Sequence, residues 1–186
     1  MRIARTQYDI CNTRYEVKAN LADILVLVID VDGVLTDGTI VVNSDGSESK
    51  FFSVLDGHGI RLWQRAGLKV AFLSGRASEP TRYRAEQLEV EYVFQDCHHK
   101  LDALQRFLKQ VGLLPDRIAY IGDDLPDLPV IRYVGFGVAV ANAVDEVKQY
   151  ADYVTTRPGG SGAVREVIEY ILKKTGRWQK LMERYE

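Results

Sequence analysis

Cysteine is scarce in this chain: Cys11 and Cys97 are the two present among 186 residues. Two cysteines cannot build a disulfide framework in a domain of this length, and reduced thiols are the expectation. Charge of one sign is not in excess either. A net charge of −2 gives no broad cationic surface, which excludes general affinity for nucleic acid or anionic membranes. Long apolar runs are missing; the longest, 24–29, falls far short of a membrane span. The N-terminal stretch MRIARTQYDICNTRYEVK lacks the apolar core of a secretory signal. A cytoplasmic protein with no membrane or nucleic-acid partner is therefore expected. No repeat, low-complexity tract or linker interrupts the sequence, and its length predicts a single domain over 1–186.

What is present is an alternation. Apolar β-rich runs at 24–29, 69–73, 91–94, 118–121, 136–141 and 152–155 alternate with helical patterns near 57–66, 78–89, 99–111, 125–133, 143–150 and 161–174. This predicts an α/β fold, a doubly wound (Rossmann-like), mostly parallel sheet covered on both faces. Gly67 and Gly112 sit where helices should end, with Pro115 just beyond the second. Residues 39–54 break the rhythm. Two β-rich stretches flank Asn43-Ser44-Asp45-Gly46, which predicts an inserted β-hairpin. Its Ile40, Val42, Phe51 and Phe52 leave two readings: the hairpin folds back on its own sheet, or it packs on another subunit.

Residues 26–38 read VLVIDVDGVLTDG. A strand buried on both faces cannot hold carboxylates within it. Asp30 and Asp32 are therefore placed at its C-terminal tip, where open α/β sheets bind ligands. Period-2 alternation points the two the same way, with Val31 elsewhere. Neighbouring carboxylates repel, and a divalent cation relieves the repulsion. A capped strand end with solvated acids would explain this segment taken alone. Three more strands add to it. KVAFLSGR at 69–76 ends in Ser74, IAYIGDDLPD at 118–127 ends in Asp123, Asp124 and Asp127, and Lys100 follows the strand-like Tyr92–Phe94.

In this order the four elements resemble the D-x-D, Ser/Thr, Lys and GDD-x-x-D motifs of the haloacid dehalogenase superfamily of phosphohydrolases. Only about forty residues separate the first motif from the second, too few for an independent cap domain, so the resemblance is to capless members. Within them the chain resembles the 3-deoxy-D-manno-octulosonate 8-phosphate phosphatase family over 22–170, through the hairpin, VLDGHGIR at 54–61 and ADYVTTRPGGSGAVREV at 151–167. The resemblance implies a Mg²⁺-dependent phosphatase of lipopolysaccharide biosynthesis that acts on a small phosphorylated sugar acid. Asp30 would be the nucleophile, forming an aspartyl-phosphate, and Asp32 the acid and base. Ser74 and Lys100 would bind phosphoryl oxygens. Mg²⁺ suits hard oxygen ligands, and the implied ligands are the Asp30 carboxylate, the Asp32 main-chain carbonyl and Asp123. Ser53, Val54, Leu55, Asp56, Gly57, Arg61, Arg76, Arg84 and Lys100 match the family's substrate-contacting positions. The implied assembly is a homotetramer, with a neighbour's chain near Gly160–Arg165 or its C-terminal tail closing each site.

Leu55 and Ser161 depart from the family, which commonly carries an arginine at each. The substrate therefore stays open between the octulosonate, a sialic-type nonulosonate 9-phosphate and a broader range of sugar phosphates. A catalytically silent scaffold is countered by the intact Asp30, Asp32, Ser74, Lys100 and Asp123. A phosphomutase is disfavoured, because transfer to a second hydroxyl needs a cap to exclude water. Several residues carry two readings. Asp124 and Asp127 hold the metal through water or orient Lys100, and Asp37 and Asp127 can also serve as simple caps. His58 touches substrate or fills the DGHGI loop. Arg76 and Arg84 read substrate or form a solvated helical face. Gly159, Gly160 and Gly162 make a turn or offer N–H groups to an anion. Cys97-His98-His99 looks like a metal cluster, but adjacent residues rarely converge on one ion.

Overall fold

The computed structural model of the protein describes residues 19–185, so Cys11 lies outside the described residues; Cys97 is a free thiol. The aliphatic run at the start of the chain's core forms strand β1 (Val26–Ile29), buried at all four positions. The hairpin follows as β2 (Val41–Val42) and β3 (Glu48–Ser49), then α1 (Val54–Arg65), β4 (Lys69–Leu73) and α2 (Glu79–Gln87). Next come β5 (Tyr92–Phe94), α3 (Lys100–Val111), β6 (Ile118–Gly122), α4 (Leu128–Ile131) and β7 (Phe136–Ala139). The chain continues through α5 (Asp145–Tyr150), β8 (Tyr153–Val154), α6 (Ala163–Lys174) and α7 (Arg177–Met182).

Six strands form one parallel sheet in the order β5-β4-β1-β6-β7-β8. β1 is central: Ile29 registers with Phe72 on one side and Ile121 on the other. The chain winds outward from β1 through β4 to β5, then returns to β6 and winds outward the other way. That reversal makes a switch point between β1 and β6, where the C-terminal strand ends open a crevice. Helices are amphipathic where they cover the sheet. In α6 the buried Val164, Val167, Ile168, Ile171 and Leu172 recur at helical spacing and pack on α1, and Ala103, Leu104, Phe107 and Leu108 do the same job in α3.

The structure departs from expectation in four places. The hairpin ladder is much shorter than 39–54, because residues 50–53 leave it to enter α1. Helix α1 starts three residues before the expected 57–66, so all of DGHGI lies in its first turns, capped by Ser53, whose hydroxyl accepts from the Asp56 N–H. The segment expected as one helix over 125–133 is a 3₁₀ turn at Leu125–Asp127 followed by the short α4. Pro126 and Pro129 remove two donors there and prevent a longer regular helix. Helix α7 was not foreseen. Gly176, at φ +72°, turns the chain into it, and Trp178 packs beneath Arg165 and Lys173. The foreseen helix end at Gly112 is left-handed, at φ +67°.

Candidate active site

Asp30 is the first residue beyond β1. Its N–H donates to the Ile121 carbonyl at 3.0 Å, and its side chain is buried at the crevice floor. Lys100, the first residue of α3, reaches it from the next layer. The Lys100 Nζ lies 2.7 Å from Asp30 Oδ1 and 2.6 Å from Asp127 Oδ1. Asp127 is saturated by donors. Its Oδ1 also accepts from the Tyr120 hydroxyl at 2.6 Å, and its Oδ2 accepts from the main-chain N–H groups of Asp123 (2.9 Å) and Asp124 (3.2 Å). Of its two readings, the orienting of Lys100 is the one the geometry supports. Asp124 caps the following turn through the Leu125 N–H.

Asp30, Asp123 and Asp127 each bring an oxygen within 4.8 Å of the others. Burial first, then Asp127, pushes Asp30 well above the usual carboxylate range and Asp123 up to about 6. Burial alone would lower Lys100, but Asp30 and Asp127 outweigh it and leave its pKa raised, so the ammonium persists. Asp123 Oδ1 is buried and accepts no hydrogen bond among the described residues. Gly33, at φ +97°, is required beside it, because a Cβ there would overlap the Asp123 carboxylate. With Asp127 committed to its donors, Asp30 and Asp123 remain: two mutually repelling hard oxygen donors, one without a partner. Those residues fit a divalent cation such as Mg²⁺.

β1 ends at Ile29, so the strand alternation does not reach Asp32. Asp30 faces Lys100, whereas Asp32 faces Lys50, whose Nζ lies 2.7 and 2.9 Å from its two carboxylate oxygens. Ser74 follows β4, in the strand beside β1. Its hydroxyl is buried, donates to the Arg76 carbonyl at 3.0 Å and accepts from the Arg76 N–H at 3.1 Å.

The expected substrate positions divide. Val54 and Leu55 open α1 with side chains 81% and 52% exposed, beside the segment that carries Lys50. Arg84 donates to the Ser53 carbonyl at 3.2 Å and lies over the Phe52 ring, closely against Gly57. Arg76 pairs with Glu48 at 2.9 Å. Two positions are not available to a ligand at this edge. Asp56 is buried and accepts from the main-chain N–H groups of Gly162 (3.1 Å) and Arg165 (2.8 Å), so it ties α1 to the start of α6. Arg61 lies two turns along α1 and is engaged by the Leu88 carbonyl (3.1 Å) and Glu89 (2.8 Å), away from the carboxylates. His58 contacts Tyr185, not the cluster. The N–H groups of Gly159, Gly160 and Gly162 are taken by Asn142, Val34 and Asp56, so the turn reading holds and the anion reading does not. Asp37 closes a local turn onto the Thr39 N–H. His98 pairs with Asp96, and residues 97–99 join no metal-binding group among the described residues.

Four site residues were not foreseen: Lys50, Glu48, Thr81 and Tyr120. Tyr120 left a signal, since a hydroxyl on a fully buried strand must find a partner. Lys50 left none, because its partner is 18 positions away across a turn.

Comparison with known proteins agrees with this geometry. Residues 92–168 match the haloacid dehalogenase-like hydrolase family. The 3-deoxy-D-manno-octulosonate 8-phosphate phosphatase of Escherichia coli K12 is 41% identical over 162 residues, 87% of this chain and 86% of that protein. Its Yersinia pestis counterpart is 43% identical over 151 residues, covering 81% of each. A crystal structure of the same phosphatase from Moraxella catarrhalis, in complex with magnesium ion, phosphate ion and a KDO molecule, superposes with a TM-score of 0.88 at 39% identity. That match covers 92% of this chain and 98% of the other. The cobalt-bound phosphatase of Haemophilus influenzae gives a TM-score of 0.81 at 40% identity, over 84% and 91% of the two chains. The chain thus belongs to the 3-deoxy-D-manno-octulosonate 8-phosphate phosphatases, phosphoric monoester hydrolases within the haloacid dehalogenase-like family.

Proposed function

We propose that this protein is a cytoplasmic, Mg²⁺-dependent phosphatase, folded as one domain, that converts 3-deoxy-D-manno-octulosonate 8-phosphate to the free sugar acid and phosphate. The observation that carries the reading is the buried Asp30–Lys100–Asp127 relay beside the unpartnered Asp123 oxygen. Bound by Asp30, Asp123 and the Asp32 main-chain carbonyl, the cation would offset carboxylate repulsion and the charge of the phosphate dianion. In the first half of the reaction an Asp30 oxygen bonds to phosphorus. The bond to the sugar oxygen breaks with its electron pair on that oxygen, which takes a proton from Asp32. In the second half water gives a proton to Asp32 and bonds to phosphorus, the bond from phosphorus to the Asp30 oxygen breaks with its electron pair on that carboxylate, and phosphate is released. Lys100, held by Asp127, and Ser74 stabilise the equatorial oxygens.

A second reading has a specific observation behind it. Leu55 is apolar and exposed near the site, where an arginine would favour a second anionic group on the substrate. A sugar acid with an apolar substituent, as in a sialic-type nonulosonate 9-phosphate, suits that rim better. We also propose a homotetramer in which hairpins associate, because Val42 and Phe51 are 71% and 73% exposed on an element with unpaired edges.

The test is kcat/KM on the octulosonate 8-phosphate, a nonulosonate 9-phosphate and p-nitrophenyl phosphate. The first should lead, Asp30→Asn should lose at least ~10³-fold on all three, and Arg84→Ala should lose more on the sugar acids than on the aryl phosphate. A higher value on the nonulosonate moves the conclusion to the second reading. Near-normal turnover in undeamidated Asp30→Asn rejects the covalent mechanism.

A further inference from the structure

Lys50 has no part in the phosphoryl chemistry above. Yet its side chain is 2% exposed, deeper than that of Asp32 at 20%. Its ammonium faces both Asp32 oxygens, and among the described residues no other donor is hydrogen-bonded to that carboxylate. Two further groups fix the ammonium. Thr81 Oγ1 of α2 accepts from it at 3.3 Å, and Glu48 Oε1 of β3 lies 3.7 Å away. Glu48 also pairs with Arg76, whose N–H donates to Ser74 Oγ. Asp32–Lys50–Glu48 thus parallels Asp30–Lys100–Asp127: each carboxylate of the first motif has its own ammonium, and each ammonium has a second carboxylate. Burying an ammonium carries a large desolvation cost. The hairpin ladder does not require it, since Val41–Ser49 and Val42–Glu48 pair through the main chain.

We propose that Lys50 is a positioning residue for this reaction: it aims the Asp32 carboxylate at the leaving oxygen and the attacking water, and makes docking of the hairpin a condition of that aim. The inference rests on the phosphatase reading. The contribution assigned to Lys50 is orientation, through its two contacts with the Asp32 carboxylate. A side chain that only stabilised the fold, or only attracted phosphate, would act alike on every phosphate ester. One that aims the proton donor matters most where the leaving oxygen most needs the proton.

The experiment is therefore leaving-group dependence. We would measure kcat/KM with saturating Mg²⁺ on aryl phosphates graded from phenyl to p-nitrophenyl, so that sugar recognition plays no part. The full chain would be compared as wild type, Asp32→Ala, Lys50→Met and the double variant. Lys50→Met should lose at least about fivefold more on phenyl than on p-nitrophenyl phosphate, a fraction of what a general acid typically supplies. The double variant should lose little beyond Asp32→Ala alone. Equal losses across the series, or multiplied losses in the double variant, overturn the inference. Asp32→Ala separates the two levels. No leaving-group bias in it rejects the acid assignment and the inference together, whereas a bias there without one in Lys50→Met rejects Lys50 alone. If Lys50→Met does not fold, Thr81→Val removes one anchor and keeps the ammonium. It should show the same bias at about twofold or more, and its absence also overturns the inference.

Discussion

Asp127→Asn is the sharpest test of the buried relay. The change is nearly isosteric, so a cavity plays no part and the effect is electrostatic. Asp127 is 1% exposed and accepts four hydrogen bonds, two at each oxygen. Asparagine offers one oxygen and one NH₂. If the oxygen keeps the Asp123 and Asp124 N–H groups, the NH₂ meets the Lys100 ammonium and the Tyr120 hydroxyl. If it keeps those two, the NH₂ meets two main-chain N–H groups. In the first case the Lys100 bond is lost and the Tyr120 hydroxyl must turn to accept; in the second both main-chain bonds are lost; in both a buried ammonium loses one of its two carboxylates. Loss of a like charge beside Asp30 and Asp123 offsets part of this. A net destabilisation of about 2–4 kcal/mol follows, which for a chain of this size lowers Tm by roughly 5–15 °C. Activity should fall further than stability implies. Lys100, left with Asp30 alone, would settle on the nucleophile and away from the transferring phosphoryl group, and removal of one such electrostatic group typically costs about 10²-fold or more. Calorimetry and kcat/KM under the same Mg²⁺ and pH would measure both, with Tyr120→Phe as the comparator that removes one neutral hydrogen bond, worth about 1 kcal/mol. A variant within about 1 °C and about threefold of wild type would show that Asp127 does not hold Lys100 in place.

Three further outcomes follow from the same geometry. Exhaustive chelation should abolish turnover and Mg²⁺ should restore it, checked by elemental analysis; full activity in metal-free protein would remove the case for Asp30 and Asp123 as ligands. Asp56→Ala should cost about 2–4 kcal/mol in denaturant unfolding, because it strands the Gly162 and Arg165 N–H groups in a buried seam between α1 and α6; a cost under about 0.5 kcal/mol would mean that water replaces the carboxylate. Val42→Asp with Phe51→Asp should give a smaller species by light scattering and lower activity together, whereas a fully active monomer would leave substrate recognition to residues within one chain.

The parts of this molecule that were legible in the sequence are those fixed by local exclusion. A four-residue aliphatic strand buried on both faces has to expel its acids to the tip, so Asp30 could be placed without a structure. The same reasoning placed Asp123 at the end of β6 and Ser74 at the end of β4, and parallel alternation put all three at one edge. What misled was propensity. With two glycines in DGHGI the helix is expected to start only at 57, yet it starts at Val54, and Gly57 lies against Arg84 and Gly59 against Arg165 inside α1. Close packing of α1 on Arg84 and α6 outweighs the roughly 1 kcal/mol that each glycine costs a helix. Arg61 was drawn to the site by the family resemblance alone. On a helix it lies a full turn beyond Gly57, within reach of Glu89 instead.

Pairing partners were the least legible feature, and the two lysines show why. Lys100 could be found because it opens a helix directly after a strand of the same sheet, so topology alone carries it to the crevice. Lys50 belongs to a hairpin outside that sheet, and nothing in its neighbours Ser49 and Phe51 distinguishes a buried ammonium from a solvated one. Its place follows only once the short ladder of β2 and β3 has set where residue 50 leaves the hairpin. Tyr120 is the intermediate case. It stands in a strand where every residue is buried, so its hydroxyl had to meet an acceptor near the C-terminal edge, and the acids of GDDLPD were the ones within reach. Asp127 meets it from the turn that Pro126 and the Asp124 cap impose. The same turn carries two main-chain N–H groups onto its other oxygen, and that is what makes Asp127 an orienting group for Lys100 and leaves Asp123 as the open oxygen beside Asp30.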